Sequence, residues 1–305
     1  MAIILEWTTP TRQDQTGILP PIPIETYEEI FEYVAAVSDP LQDGPTSETA
    51  VTRRTSLANL ALVCRLFCSL SLQHLFHTVV FHYRYENPPG MAFARALIQQ
   101  QSTAVALAPL VRTVVLAHWH PEDLFDQAVY RMHQRATRRL PGVTQIVLRD
   151  VPFTTDTLRT LRHSPCLKVL RLESVDLDGY AEDEDDLVLA LPPIEELVIL
   201  DTIIPPSASA LHVTVDTSKL WVLRTTVDRA LEIVLDSAPP VLSVLDVDFA
   251  HYGHSMQATD DILVSLRAYL ASEAGRRLKE MIVRLPDHIP AFPTFTSSRL
   301  QQDAR

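Results

Sequence analysis

Leu167-Lys168-Val169-Leu170-Arg171-Leu172 sets large hydrophobes at its first, fourth and sixth positions, and this spacing recurs from residue 111 onward. The other instances are Val111/Val114/Leu116, Val143/Ile146/Leu148, Ile194/Leu197/Ile199, Leu220/Leu223/Thr225, Leu242/Leu245/Val247 and Leu278/Met281/Val283. In chain order the first members of all seven stand 32, 24, 27, 26, 22 and 36 residues apart. A period of that size marks stacked supersecondary units, each too small to bury its own apolar face. Between them run helical patterns. Glu122–Leu140 sets Leu124, Phe125, Ala128, Val129 and Met132 on its apolar face, and Val227–Leu235 and Asp260–Ala274 behave alike. Strand and helix alternating at a steady period predicts an α/β chain of parallel strands with helices outside. Such a fold offers a long surface rather than a deep pocket, which points to binding.

The chain before the repeats has a different texture. Residues 1–18 are polar and turn-prone. A helix is predicted over Thr26–Ser38, with Thr26 as N-cap and Tyr27, Ile30, Phe31 and Val34 on one face. The stretch from Ser38 to Thr55 reads as an exposed loop, rich in Pro, Gly, Ser and Thr. Ser56 is expected to cap a second helix carrying Leu57, Leu60, Ala61, Cys64, Phe67 and Cys68, and a third short helix covers about Leu70–Phe76. Thr78–Phe81 is strand-like. Asn87-Pro88-Pro89-Gly90 makes the clearest break, followed by a helix from Met91 to Leu107. The domains expected are therefore a loose start (1–18), a helical module (19–81), a connection (82–110), the repeats (111–285) and an aperiodic tail (286–305).

Composition narrows the function. A formal charge of −12 argues against nucleic acid, which needs a basic footprint. Arg131, Arg135, Arg138 and Arg139 fall on a predicted helix and read as its solvated face. Lys168, Lys219 and Lys279 are the only lysines. No apolar run is long enough for a membrane span, and the apolar start is too short for a signal peptide. Three cysteines fit a reducing compartment, cytoplasmic or nuclear. The seven glycines are too scattered for a dinucleotide fingerprint, a P-loop or a nucleophile elbow.

The chain also contains no evident metal or catalytic motif. His118-Trp119-His120 and the pair His251 and His254 have no third ligand at motif spacing. Cys64 and Cys68 read as small buried hydrophobes. The run from Asp176 to Asp186 has its glycine, Gly179, at the wrong place for a calcium loop and reads as solvated acid. Neither cofactor nor catalysis is expected.

Leu19–His77 resembles an F-box, the three-helix module of substrate receptors in cullin-RING ubiquitin ligases. The likeness rests on Leu19-Pro20-Pro21-Ile22-Pro23-Ile24-Glu25, on Tyr27 to Phe31, on Leu60 to Phe67 with its Val63-Cys64-Arg65, and on Gln73 to Val79, which looks like the fungal ending of the box. In many fungal relatives leucine-rich repeats follow. The resemblance implies an F-box-like module ahead of an irregular leucine-rich-repeat solenoid. It further implies that the module docks on a Skp-type adaptor, and through it cullin, while the repeats hold an unknown target protein. Leu19, Pro20, Ile24, Ile30, Phe31, Leu60, Val63, Cys64 and Phe67 match adaptor-contacting or supporting positions. On the strands, Arg149, Arg171, Glu173, Leu200, Arg224, Asp246 and Asp248 lie between buried positions and are the candidates for reading a target. Two departures stand out. The stretch Ser38–Thr55 is longer than the usual connection, and the asparagine expected after each strand is replaced by Trp119, Val151, Val175, Thr202, Asp228, Ala250 and Pro286. An irregular stack follows from that. The other reading is a repeat scaffold whose box-like start merely caps the first edge.

Overall fold

A computed structural model describes residues 22–37, 47–83, 90–120, 124–175, 192–202, 216–226, 239–248, 268–273 and 275–284. Its centre is a parallel sheet of eight strands in chain order, β1 (Thr78–His82), β2 (Thr113–Ala117), β3 (Gln145–Arg149), β4 (Val169–Glu173), β5 (Glu196–Leu200), β6 (Val222–Thr225), β7 (Val244–Asp248) and β8 (Glu280–Arg284). The apolar spacing sets the register: Ile146 pairs with Leu170, Leu170 with Leu197, Leu197 with Leu223 and Leu223 with Leu245. Because strand side chains alternate, the fourth and sixth positions of each unit face one way, and all but Thr225 and Met281 take part in one continuous core. The first positions, Val111, Val143, Leu167, Ile194, Leu220 and Leu242, are buried in the same core. At β8 the burial lapses, with Met281 exposed.

Two backbone devices repeat along the sheet. The carbonyls of His77, Arg112, Thr144, Lys168, Glu195, Trp221 and Ser243 each accept two N–H groups from the start of the next strand. At the other end His118, Asp150, Ser174 and Asp201 each follow a strand with positive φ, near 50° (56°, 52°, 53° and 48°). That left-handed residue turns the chain off the sheet, so the following residue enters the core. The side chains at these positions differ in what they do. The indole of Trp119 donates to the Phe81 carbonyl at 2.9 Å, and the Thr202 hydroxyl donates to the carbonyls of Leu200 and Leu172 at 3.0 and 3.3 Å. Val151 and Val175 only fill space; both are buried.

Three helices precede the sheet: α1 (Ile24–Ala35), α2 (Glu48–Ala61) and α3 (Arg65–Phe76). Their boundaries correct the sequence reading. Ser47, not Ser56, caps α2, its hydroxyl accepting from the Ala50 N–H at 3.1 Å, so residues expected in a loop form two turns of helix. No Gly or Pro lies between Ser47 and Ala61 to stop them. The helix thought to run through Cys68 breaks at Leu62–Cys64, and Cys64 caps α3. Thr26 is not a cap either, since α1 begins two residues earlier after Pro23.

The helix expected over Met91–Leu107 is two, α4 (Met91–Ile98) and α5 (Ser102–Leu107), parted at Gln100 with φ of 55°. Ala94, Leu97, Ala104 and Ala108 join the sheet's core. Gly90 starts α4 with φ of 83°, and a Cβ there would meet the Phe81 ring at 2.7 Å.

Two further helices cover the core between strands, α6 (Leu124–Thr137) and α7 (Thr155–Arg162). The apolar face assigned to α6 is rotated. Leu124 and Phe125 are 82% and 64% exposed, while Asp126, Val129, Tyr130, His133, Gln134, Ala136 and Thr137 are buried. One polar side chain of the inner face bonds across helices: the Gln134 amide donates to the Thr157 hydroxyl at 2.8 Å, within the Thr154/Thr157 capping box that starts α7. The sequence-predicted helices at Val227–Leu235 and Asp260–Ala274, the loose start and the aperiodic tail lie outside the described residues, save for 268–273.

Candidate functional site

The helical trio closes a core of its own from Tyr27, Phe31, Leu57, Leu66 and Leu70, with Ile24, Val34, Leu60, Cys64, Phe67 and Leu75 packed against it. Phe67 stands between two rings, edge-on to Tyr27 at 5.4 Å and to Phe31 at 5.3 Å. A cation locks the assembly. The Arg53 guanidinium, on the inner side of α2, donates to the Ala35 carbonyl at 2.7 Å and the His74 carbonyl at 2.9 Å. It thereby serves the C-terminal ends of α1 and α3, where unpaired carbonyls gather. Burial, and then Arg53, hold the His74 imidazole below its ordinary pKa. We expect Arg53→Ala to destabilise the trio by about 2 kcal/mol, since it strands two carbonyls. Thermal unfolding followed by circular dichroism checks this, and an unchanged midpoint would refute it.

This packing divides the candidate adaptor residues. Phe31 is fully buried; Ile24, Leu60, Cys64 and Phe67 are half-buried supports of the trio's core; Ile30 and Val63 are exposed, at 49% and 61%. Leu19 and Pro20 lie outside the described residues. The structure adds residues that sequence reading passed over: Tyr33 on α1 with Ile30, Val37 just past the end of that helix, and Leu62 next to Val63. Leu62 is 85% exposed and Tyr33 79%. The cause is the break between α2 and α3. A continuous helix would share Leu62 and Val63 between faces, whereas the corner pushes both out. Cysteine is a poor cap, so little in the sequence marks that corner.

On the sheet, Arg149, Arg171, Glu173, Leu200, Arg224, Asp246 and Asp248 share the face opposite the main core, as alternation requires. They are less open than expected. Glu173 is clamped by Arg149 Nε at 2.6 Å and Arg171 Nη2 at 3.0 Å, and Asp246 is buried beside Arg224 in register. Arg224, half-exposed, stands 3.9 Å from Glu196. Val115, Ala117 and Val147 on this face form a small buried cluster of their own.

The rim after β2 gathers groups distant in sequence. Asp150 accepts from His118 Nδ1 at 2.9 Å and from His120 Nε2 at 2.7 Å. Burial raises the Asp150 carboxyl, but the two imidazole hydrogen bonds outweigh it and leave its pKa below the ordinary value. The bridge ties two neighbouring rims together. Among the described residues no group of three or more His, Cys, Asp or Glu is placed to hold a metal ion, and no helix is long and apolar enough to cross a membrane. His251, His254 and the acidic run to Asp186 lie outside the described residues.

No family model matches this chain, and no curated protein matches it.

Proposed function

We propose that this protein is the non-catalytic substrate-recognition subunit of an SCF-type cullin-RING ubiquitin ligase. In this reading the trio is an F-box that docks on a Skp-type adaptor. The parallel sheet with its outer helices is an irregular leucine-rich-repeat solenoid that holds the target protein. The observation that supports it most is at the α2–α3 corner. The trio fills its own core with Tyr27, Phe31, Leu57, Leu66 and Leu70 and still sets Leu62 and Val63 of the Val63-Cys64 motif in solvent, with Ile30 and Tyr33 on α1. A small module with apolar side chains to spare is a module with a partner. Arg149, Arg171, Glu173, Leu200, Arg224, Asp246 and Asp248 remain the residues proposed to read the target, with Arg224 the most open of the ion-paired ones.

Co-purification with a Skp-type adaptor is the test. Val63→Asp places a charge at the exposed corner and is expected to abolish capture while thermal unfolding stays unchanged. Phe67→Asp unfolds the trio, because Phe67 lies between Tyr27 and Phe31, and serves as the folding control. Capture of Val63→Asp at wild-type level would refute the adaptor reading.

A second reading has its own support. Helix α3 runs through His77 directly into β1, and the rings of Phe76 and Phe93 pack at 5.6 Å. The trio thus sits at the sheet's first edge and would seal it in a scaffold with no ligase partner. Truncation should therefore spare β1: starting the chain at residue 91 removes a strand and takes Phe81 from the core.

A further inference from the structure

Helices α6 and α7 pack side by side, and together with the turns that end them they carry Arg131, Arg135, Arg138, Arg139, Arg159 and Arg162. Two carboxylates stand on the same elements. Asp126 is buried and accepts the Tyr83 hydroxyl at 2.7 Å, which leaves Asp156 on the outer side. Asp156 faces three guanidiniums, from Arg138 at 3.2 Å, Arg159 at 3.7 Å and Arg131 at 3.8 Å. Among the described residues of these two helices and their end turns one outer carboxylate stands against six guanidiniums, a local sign opposite to that of the chain, which is −12.

Fold stability explains part of the set. Arg138 is half-buried and also donates to the Thr160 hydroxyl and the Asp156 carbonyl, joining the two helices. Arg159 and Arg162 lie in the last turn of α7 and Arg135 in the last turn of α6, where the helix dipole favours cations. Arg131, in mid-helix with 60% of its side chain in solvent, makes only the longest of the three contacts to Asp156. These contacts do not explain why Arg131, Arg135 and Arg139 recur four residues apart, all exposed. Arg131 and Arg135 share α6, where like charges at that spacing cost stability, and Arg139 follows in the turn that ends it.

We propose that this stripe is a docking surface for an acidic segment of a partner protein, a short run of Asp and Glu whose carboxylates pair with Arg131, Arg135 and Arg139. Guanidinium forks match carboxylates two bonds at a time. Arg131 and Arg135 stand about 6 Å apart along α6 at the helical rise, the span of roughly two residues of extended peptide, and Arg139 in the turn lengthens the stripe. A nucleic acid fits less well, because a duplex needs a broad basic footprint and the chain as a whole carries −12.

The test uses the full chain and fluorescence anisotropy with labelled hexaglutamate, labelled hexaglutamine and a labelled DNA duplex. Hexaglutamate is expected to bind, to weaken as salt rises, and to lose about tenfold in affinity with Arg131→Gln/Arg135→Gln. Arg95→Gln, at an exposed site on α4, should leave affinity unchanged, and circular dichroism confirms that both variants fold. Four results would overturn the proposal: no binding of hexaglutamate, equal binding of hexaglutamine, full affinity in the double variant, or loss of duplex binding alone. The chain's own Glu182-Asp183-Glu184-Asp185-Asp186 supplies a fifth. If hexaglutamate binds only after those side chains are changed to amides, the stripe is covered from within the chain and no partner is needed.

Discussion

Acidification from neutral pH to pH 4 removes about 3 kcal/mol of stability through His133 alone. This imidazole is fully buried between the rings of Phe81 and Trp119, at centroid distances of 4.6 and 5.0 Å. Neither ring nitrogen has a hydrogen-bond partner among the described residues. Burial pushes its pKa down from 6.5 to about 4, and the Val129 carbonyl, near but outside hydrogen-bonding geometry, offsets only part of that. The unfolded chain takes up the proton near pH 6.5 and the native state only near pH 4. Over that window the unfolded state binds more protons, so stability falls as pH falls, by about 1.4 kcal/mol per unit. Below pH 4 both states are protonated and the loss stops growing. Replacing His133 by Leu removes the titrating group and two unmet nitrogens, so the variant should lose less stability on acidification and be firmer at neutral pH. Urea unfolding at a series of pH values reads both effects. If wild type and variant fall in parallel between pH 6.5 and 4, His133 is not the cause. Asp150, with its lowered pKa, acts in the same direction but at lower pH, so the two contributions separate.

The second large effect belongs to the neighbouring indole. Trp119→Ala is expected to cost about 3–5 kcal/mol, the range for removing a large buried ring. Trp119 is among the largest fully buried side chains and touches Tyr83, Tyr130 and His133, at ring distances of 5.2, 5.5 and 5.0 Å. Trp119→Phe keeps most of the packing but strands the Phe81 carbonyl, for about 1–3 kcal/mol. Thr202→Val asks the same question five strands into the sheet, where the hydroxyl reaches the Leu172 carbonyl. Denaturant midpoints rank the three variants. A Trp119→Phe protein as stable as wild type would show that the indole hydrogen bond adds nothing to stability.

The parts of this fold that were legible in the sequence are those governed by period. Once the spacing of Val114/Leu116, Ile146/Leu148 and Leu170/Leu172 is read as alternate positions on strands, the parallel order and the register follow, because a slip of one residue would turn every one of these side chains away from the core. Thr78–Phe81 reads as strand-like, and Phe76/Val79/Phe81 carries the spacing of the other units, yet its place as the sheet's first strand is hidden because Phe76 also closes the third helix. Helix α6 was found but turned the wrong way: hydropathy ranks Leu124 and Phe125 above His133 and Gln134, while the core surrounding Trp119 has room for rings and amides that bond across helices.

The candidate sites were legible only as lists. Composition, charge and motif fixed the residue types on offer: an apolar trio with Val63-Cys64, charged side chains between strand hydrophobes, and arginines on one helix. Which of those residues face solvent was decided by contacts between elements far apart in the chain. Arg53 meets the ends of two other helices, Phe67 is drawn inward while Leu62 and Val63 are expelled, and Asp150 meets His118 and His120 across some thirty residues. Periodicity is a local property and survives in the sequence; exposure and charge balance depend on what packs alongside, and only the folded chain specifies that.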